Sequence, residues 1–163
     1  MTCLLPLLLV LGCARGESPA TAPAPTAAPA SPAAETFAPQ GPTVPLRLGD
    51  TSLQVEVADD DAERQKGLMF RDGLAADHGM VFVYPDERMR GFWMQNTRIP
   101  LSIAFADAQG RIVSISDMLP YDEHTTSSQR PAMYAVEVDR GWFSAHGVAV
   151  GGRIQGLPEP SRE

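Results

Sequence analysis

Residues 44–57 decide the fold class, and they read Val44-Pro45-Leu46-Arg47-Leu48-Gly49-Asp50-Thr51-Ser52-Leu53-Gln54-Val55-Glu56-Val57. Apolar and polar side chains alternate on both sides of Gly49-Asp50, which is the pattern of two strands that each bury one face. A Gly-Asp pair also suits the tight turn that joins two antiparallel strands. The stretch therefore predicts a β-hairpin at the start of a folded domain.

The chain after this hairpin predicts more strands and two short helices. The acidic run Asp59–Asp61 caps the start of a helix from Ala62 to about Met69. Residues Gly141–Gly147 form a second short helix, closed by its C-terminal glycine. Alternating or apolar runs predict strands at 80–84, 92–94, 101–105, 111–116, 134–139 and 151–154. The absence of regular β-α-β alternation indicates an α+β fold, compact and predominantly antiparallel, with two short helices.

The charge of the chain bears on its partners. The formal net charge of the 163 residues is −7, and most of the acidic residues follow Pro42. A protein that binds nucleic acid needs a basic surface to displace counterions from phosphate. We therefore expect no nucleic-acid partner.

The first residues are typical of an exported lipoprotein. The apolar run Leu4–Leu11 has the length of a signal-peptide core and is too short to cross a bilayer as a helix. The string Val10-Leu11-Gly12-Cys13 resembles a bacterial lipobox, which implies cleavage before Cys13 and acylation of that residue. We expect a signal peptide at 1–12 and a lipid anchor on Cys13 that holds the protein at the cell envelope. Secretion without a lipid is the alternative.

A tether separates the anchor from the folded domain. Residues 13–42 are mostly Ala, Pro, Ser and Thr, and such a segment cannot bury enough apolar surface to fold. We expect a disordered tether at 13–42, a globular domain at 43–157 and a tail at 158–163. Cys3 would leave with the signal and Cys13 would carry lipid, so thiol catalysis, disulfides and thiolate metal sites are excluded. We expect no metal and no cofactor.

Four strings in the domain resemble one known family. They are Gly67-Leu68-Met69-Phe70-Arg71, Gly79-Met80-Val81-Phe82, Phe92-Trp93-Met94-Gln95-Asn96-Thr97-Arg98-Ile99-Pro100-Leu101-Ser102-Ile103 and Pro131-Ala132-Met133-Tyr134-Ala135-Val136-Glu137. The resemblance is to the bacterial and archaeal family called domain of unknown function 192, over about Leu46 to Ile154. It implies a compact β-rich fold, often behind an export signal, and brings no established activity. Many members carry aspartate where this chain has Ser102, so that carboxylate is absent here.

The candidate ligand contacts lie within these strings, and they are Arg71, Trp93, Met94, Asn96, Thr97 and Glu137. Trp93 could stack on a ligand, Asn96 could donate and accept hydrogen bonds, and Arg71 could hold an anion with two parallel bonds. If residues 92–97 are extended, Trp93 and Gln95 face one way and Met94 and Asn96 the other.

Each of these residues also has a structural interpretation. Trp93 and Met94 could be core residues, and Asn96 could stabilise a turn. Arg64 and Arg71 would share a helix face only if the helix ran through Arg71, which Gly67 disfavours. The structural interpretation of Arg71 is pairing with Glu137 or another carboxylate of the domain.

Glu137 is the candidate acid or base if the protein is an enzyme. It stands between Val136 and Val138 in a predicted strand, so it projects away from their apolar face and is either functional or solvated. The sequence favours a tethered, non-catalytic module that binds a small molecule or a cell-wall component. The alternatives are a hydrolase or transferase acting on cell-wall or surface glycan, and a structural partner of another envelope protein.

Overall fold

The computed structural model describes residues 37–160. The predictions for the signal peptide, for Cys13 and for most of the tether lie outside these residues. The strands are β1 Thr43–Leu48, β2 Thr51–Ala58, β3 His78–Arg88, β4 Gly91–Phe92, β5 Leu101–Ala106, β6 Ile112–Met118, β7 Thr126–Ser127, β8 Ala132–Asp139 and β9 Ile154–Gln155. The helices are α1 Asp61–Lys66 and α2 Trp142–Ala145. The predicted hairpin is confirmed as β1 and β2, which pair antiparallel.

Seven strands form one sheet in the order β6-β5-β8-β3-β2-β1-β9, and β4 pairs with β7 in a separate two-stranded sheet. Among the strands of residues 37–160, only β2 and β3 pair in parallel, through a crossover that contains α1. The outer strands of the large sheet meet each other. Arg111 and Arg153 form a β-bridge, and the backbone N–H of Ile154 donates to the carbonyl of Gly110 at 2.8 Å. The sheet therefore curls until its two edges are hydrogen-bonded.

The curled sheet has a core on each face. The first core takes residues from all seven strands together with Trp142 and Phe143 of α2, so it lies inside the curl. The second core lies on the outer face, where Met80, Phe82, Leu101, Ile103 and Phe105 are covered by side chains from the connecting segments. Leu68, Met94 and Ile99 are the main covering residues. Among residues 37–160, no helix has the length and hydropathy that a membrane crossing requires.

The prediction of a β-rich domain with two short helices is confirmed, and the α+β label fits only loosely because strands dominate. The first helix is shorter than expected. Asp60 caps it as predicted, since its carboxylate accepts from the N–H of Glu63 at 2.8 Å, but Gly67 ends it with a φ of 47°. Arg64 and Arg71 therefore do not share a helix face, because Gly67 ends the helix before Arg71.

The predicted strand at 92–94 is also wrong beyond Phe92. Residues 93–97 form a turn, in which the N–H of Thr97 donates to the carbonyl of Met94 at 3.1 Å and Asn96 has a φ of 57°. Trp93 and Asn96 are both exposed while Met94 is buried. The alternation expected for an extended segment is therefore absent.

Candidate functional site

Strand register places Glu137 on the outer face of the sheet. Met80 of β3 pairs with Glu137 of β8, and Ile103 of β5 pairs with Glu137 from the other side. Met80 and Ile103 both belong to the second core, and paired residues of neighbouring strands face the same side. The carboxyl group of Glu137 therefore emerges in an apolar layer, beneath the segments that cover this face.

Glu137 is a buried carboxyl group without a partner. Only 4% of the residue is exposed, and its side chain makes no hydrogen bond or ion pair with another residue of the described range 37–160. Burial removes water from the carboxylate and raises its pKa from an ordinary 4.5 to about 8. Near neutral pH the side chain is thus mostly a neutral acid, which can donate one hydrogen bond and accept others. The expectation that it could be solvated was wrong.

A small pocket opens at Glu137. Its volume is about 40 Å³, which is room for a few water molecules. Phe82, Phe92, Trp93 and Thr97 line it together with Glu137 and residues 64–69. Phe92 is held in place by edge-on contacts with Phe82 and Phe105, at centroid distances of 4.9 and 5.5 Å. A single polar group of a ligand could enter this space and meet the carboxyl group.

Arg64 and Tyr84 adjoin this pocket without neutralising Glu137. The guanidinium of Arg64 donates to the carbonyl oxygens of Asp59 and Val83, at 2.7 and 2.9 Å. It also lies 5.2 Å from the ring centroid of Tyr84. Burial raises the pKa of the Tyr84 hydroxyl, the guanidinium groups of Arg90 and Arg64 lower it, and Glu137 raises it. The arginine cations therefore act on Tyr84, while the pKa of Glu137 is set by burial alone.

Arg71 lies elsewhere, in a buried ion pair. Its two terminal nitrogens donate to the two carboxylate oxygens of Glu56 at 2.5 and 2.9 Å. Both residues are buried, and the Nε of Arg71 has no hydrogen-bond partner. The structural interpretation of Arg71 as a partner of a domain carboxylate is therefore correct, although the carboxylate is Glu56 and not Glu137. A guanidinium occupied in this way is not open to a ligand anion.

The four candidates from the Phe92–Thr97 string have different environments. Met94 is buried in the second core. The exposed Asn96 occupies the left-handed position of the turn, and its side chain lies 3.9 Å from the sulfur of Met69. Trp93 is half exposed and lines the pocket with the buried Thr97. The structure therefore brings Trp93, Thr97 and Glu137 together, and it leaves Arg71, Met94 and Asn96 outside the pocket lining.

Ser102 stands where the resemblance to the family led us to note a missing aspartate, but a neighbouring residue supplies a carboxylate. Its hydroxyl donates to the carboxylate of Asp117 on β6 at 2.5 Å and accepts from the N–H of Gly141 at 2.8 Å. Asp117 also lies 3.3 Å from the side chain of Arg140. Ser102 thus connects two strands to the start of α2, and its role is structural.

The sequence did not single out the lining residues Phe82 and Phe92, or the neighbouring Tyr84, as candidates for the site. Phe82 and Tyr84 follow Met80 at intervals of two in β3, so they share the outer face with it. That spacing is visible in the sequence. The register that brings this face against Glu137 is not, because it depends on pairing between β3 and β8.

Two other features of residues 37–160 are less suited to binding. A hollow of about 400 Å³ lies between the β1–β2 turn and residues 146–153, but both ring nitrogens of His146 face acceptors, the carbonyl of Trp142 and the carboxylate of Asp77. Within residues 37–160, no three His, Cys, Asp or Glu side chains converge as a set of metal ligands. The Glu137 pocket remains the best candidate because the carboxyl group of Glu137 lines it without a protein partner in the described range, whereas Arg71 is already bonded to Glu56 through both terminal nitrogens.

Comparison with known proteins gives a family and no activity. The model of domain of unknown function 192, described as an uncharacterized ACR, matches residues 44–156. A solved structure from Novosphingobium aromaticivorans DSM 12444, of unknown function, is 32% identical with a TM-score of 0.68, and the match covers 78% of this chain and 94% of that one. Another, from Sinorhizobium meliloti 1021 and provisionally described as a transcription regulator, is 34% identical with a TM-score of 0.65, covering 69% of this chain and 91% of that one. No curated protein matches the sequence significantly. Over residues 44–156, the chain belongs to the domain of unknown function 192 family.

Proposed function

We propose that the protein is a non-catalytic ligand-binding module of the cell envelope and that the ligand binds at the Glu137 pocket. The observation that carries the proposal is the buried, unpartnered carboxyl group of Glu137 at an open pocket. No protein group of the described residues bonds to this carboxyl group, so only water in the pocket is available to it in the free protein. A ligand that displaces this water and makes the hydrogen bond directly is favoured at this position.

The protonation of Glu137 indicates the kind of group that binds. At neutral pH the carboxyl group is mostly uncharged, because burial raises its pKa to about 8. A neutral acid recognises hydroxyl and amide groups by donating one hydrogen bond and accepting another. An anionic ligand would gain no charge attraction from it. The module therefore binds through a neutral polar group.

The envelope location rests on the N-terminal sequence. The apolar run Leu4–Leu11 and the lipobox-like string ending at Cys13 support export and lipid anchoring. The S. meliloti relative is provisionally described as a transcription regulator. We do not propose that role for this chain, since a net charge of −7 disfavours nucleic-acid binding.

A hydrolase or transferase that acts on cell-wall or surface glycan is the second candidate. The observation in its favour is the raised pKa of Glu137, which is suitable for a general acid near neutral pH. Hydrolysis of a glycoside usually requires a second carboxyl group about 5–10 Å away. Glu137 is the only carboxyl-bearing residue in the described lining of the pocket, so binding is the better supported function.

A thermal-unfolding screen of the full-length protein tests the proposal. The panel contains neutral saccharides, acetamide and short capped peptides, with carboxylates and phosphate as anionic comparisons. A ligand at 100 times its dissociation constant stabilises the folded state by about 2.7 kcal/mol, which raises the melting temperature by several degrees. We expect a saturable shift from a neutral class.

Two variants at Glu137 serve as controls. Glu137→Gln keeps a neutral donor and acceptor and should retain the shift, whereas Glu137→Leu should abolish it. Equal shifts in the wild type and in Glu137→Leu would show that the pocket is not the site. Turnover of a glycan that is lost in Glu137→Gln would instead favour the enzyme.

A further inference from the structure

The exposed aromatic side chains of the described residues belong to the 93–97 turn or to residues whose backbone N–H groups donate to that turn. Phe70, Trp93 and Tyr121 are each at least half exposed, and we call them the aromatic rim. Trp93 lines the pocket directly. Phe70 follows the lining residue Met69, and the N–H of Tyr121 donates to the carbonyl of the lining residue Thr97 at 3.1 Å.

Backbone hydrogen bonds join the three segments that carry the rim. The N–H of Phe70 donates to the carbonyl of Asn96 at 2.9 Å, and the N–H of Met94 donates to the carbonyl of Asp122 at 2.7 Å. These bonds connect the Phe70 and Tyr121 segments to the turn at 93–97. The rim is therefore a fixed arrangement, and exposure of its rings does not result from loose chain ends.

Backbone strain is concentrated in the same place. Five non-glycine residues of the described range have a left-handed backbone conformation, and three of them are Phe70, Asn96 and Tyr121, with φ values of 64°, 57° and 59°. This conformation is rare for bulky side chains and is costly to maintain. Strain of this kind is enriched at ligand-binding sites. Here it accompanies large aromatic rings that are left in solvent.

We propose that the aromatic rim and the Glu137 pocket together form a saccharide-binding site, an inference that rests on the function proposed above. A pyranose ring has an apolar C–H face, which can stack on an exposed aromatic ring such as Trp93. Its hydroxyl or acetamido group can enter the small pocket and exchange hydrogen bonds with Glu137. One ligand class thereby uses both features.

Other ligand classes use only one of the two features. A lipid chain or an apolar peptide segment would cover the rim and leave Glu137 without a partner, which is unfavourable. Lys66 also lines the pocket, but an anion drawn to it would gain no attraction from the neutral acid of Glu137. A neutral saccharide satisfies the rim and the pocket without an added charge.

Calorimetric titration of the full-length protein in detergent micelles tests this inference. The probes are triacetylchitotriose, maltotriose and the soluble disaccharide-peptides that a muramidase releases from bacterial cell wall. We expect saturable binding of at least one probe, weakened at least about tenfold by Trp93→Ala and restored largely by Trp93→Tyr. Val150→Ala removes an equally exposed apolar side chain from another surface and should leave the affinity unchanged.

The outcomes separate the two proposals. If a non-saccharide compound of the thermal-unfolding panel binds in a Glu137-dependent manner and none of these saccharides does, the saccharide inference is overturned and the binding function stands. If saccharide binding is unaffected by Trp93→Ala in a folded variant, the rim does not contact the sugar and the inference also fails. If no probe of either set binds in a Glu137-dependent manner, both proposals fail. Capture of an envelope protein through Trp93 without saccharide binding would identify the rim as a protein interface and would equally overturn the inference.

Discussion

Glu137 makes the stability of the protein depend on pH. Its pKa is about 8 in the folded protein and an ordinary 4.5 when the chain is unfolded. Between these values the folded state holds a proton that the unfolded state has released, so stability is greatest at low pH and falls as pH rises through this window. We expect the wild type to lose about 3 kcal/mol of unfolding free energy between pH 5 and pH 8 from this group alone. Urea unfolding at the two pH values measures this loss of unfolding free energy.

The variant Glu137→Gln isolates this contribution. Burial also raises the pKa of Asp139, and it is the main cause of the raised pKa of Tyr84. The variant keeps both of these groups, so the difference in pH slope between the two proteins belongs to Glu137. Equal slopes would mean that Glu137 is already ionised at neutral pH in the folded protein.

Breaking the ion pair of Glu56 and Arg71 should destabilise the fold strongly, whereas replacing both residues by apolar ones should destabilise it much less. Removal of the carboxylate in Glu56→Ala leaves a buried guanidinium without its partner, which costs about 3–5 kcal/mol. The double substitution Glu56→Leu with Arg71→Met replaces both charges by apolar groups and should cost clearly less. Denaturant unfolding of Glu56→Leu, of Arg71→Met and of the double variant measures the coupling. The exposed pair of Arg98 and Asp72 is the control, and Asp72→Ala should have little effect on stability.

At the level of single residues, the sequence predicted part of the candidate site. Trp93, Thr97 and Glu137 were expected and do meet at one pocket. Arg71 and Glu56 were not expected as partners, because their contact joins β2 to a loop 15 positions later in the chain. The burial of Glu137 was also unexpected. A charged residue between two valines is typical of a solvent-facing strand position, and only the covering segments make this position a core position.

The turn at 93–97 depends on its left-handed residue. Asn96 has a φ of 57°, a conformation that asparagine and glycine adopt more easily than β-branched residues. We expect Asn96→Gly to preserve stability and Asn96→Val to lower it by about 1–2 kcal/mol. Thermal unfolding of the two variants tests this.

The neighbouring variant Gln95→Val controls for the loss of a polar side chain, because the φ of Gln95 is not positive. If Gln95→Val and Asn96→Val are equally destabilising, the left-handed conformation is not the cause. If Asn96→Val is as stable as the wild type, the backbone of Asn96 is not strained, and strain no longer supports a binding site at the aromatic rim.

At the level of elements, the sequence predicted the regular parts and missed the transitions. The β1–β2 hairpin and the antiparallel pair of β5 and β6 follow from alternation and from glycine-containing turns. Helix α1 ends three residues early because Gly67 turns the backbone away from the helix. Residues 92–94 were predicted as a strand because they are aromatic or apolar, but the strand ends at Phe92 and a turn follows. Its conformation depends on hydrogen bonds to a distant segment at Tyr121 and Asp122.

Closure of the sheet depends on a close approach between Gly110 and β9. Gly110 has a φ of 74°, and a Cβ atom there would lie 2.6 Å from the carbonyl oxygen of Ile154. Gly49 has a similar φ of 64° with open space around it. Gly49→Ala should therefore cost about 1–2 kcal/mol from conformation alone. Gly110→Ala should cost a further 1–3 kcal/mol, roughly, because β9 must move.

Urea unfolding of both variants measures these costs, and hydrogen exchange shows where the sheet opens. We expect faster exchange at the Ile112 and Ile154 amides in Gly110→Ala and unchanged exchange there in Gly49→Ala. Equal stability loss in the two variants, with both amides still protected, would show that closure does not depend on Gly110.

At the level of the whole molecule, the sequence indicated a β-rich domain but did not predict that its large sheet closes. The contact between β6 and β9 joins residues about 40 positions apart through one β-bridge, and no local pattern specifies it. The second core was equally hidden, since the outer face of β5, with Leu101, Ile103 and Phe105, is buried by segments that are irregular in structure. The site lies in that second core, so its position could be known only once the whole fold was known.

An NMR titration of the Glu137 carboxyl carbon tests whether Glu137 is the hydrogen-bonding group of the site. It compares the ligand-free protein with the protein saturated with a binding probe. Glu137→Gln identifies the signal. We expect a midpoint near pH 8 in the free protein, and a higher midpoint with the probe because a ligand that binds the neutral acid favours its protonated form. A midpoint near 4.5, or a midpoint that the bound probe leaves unchanged, would contradict the assignment of Glu137 as the hydrogen-bonding group of the site.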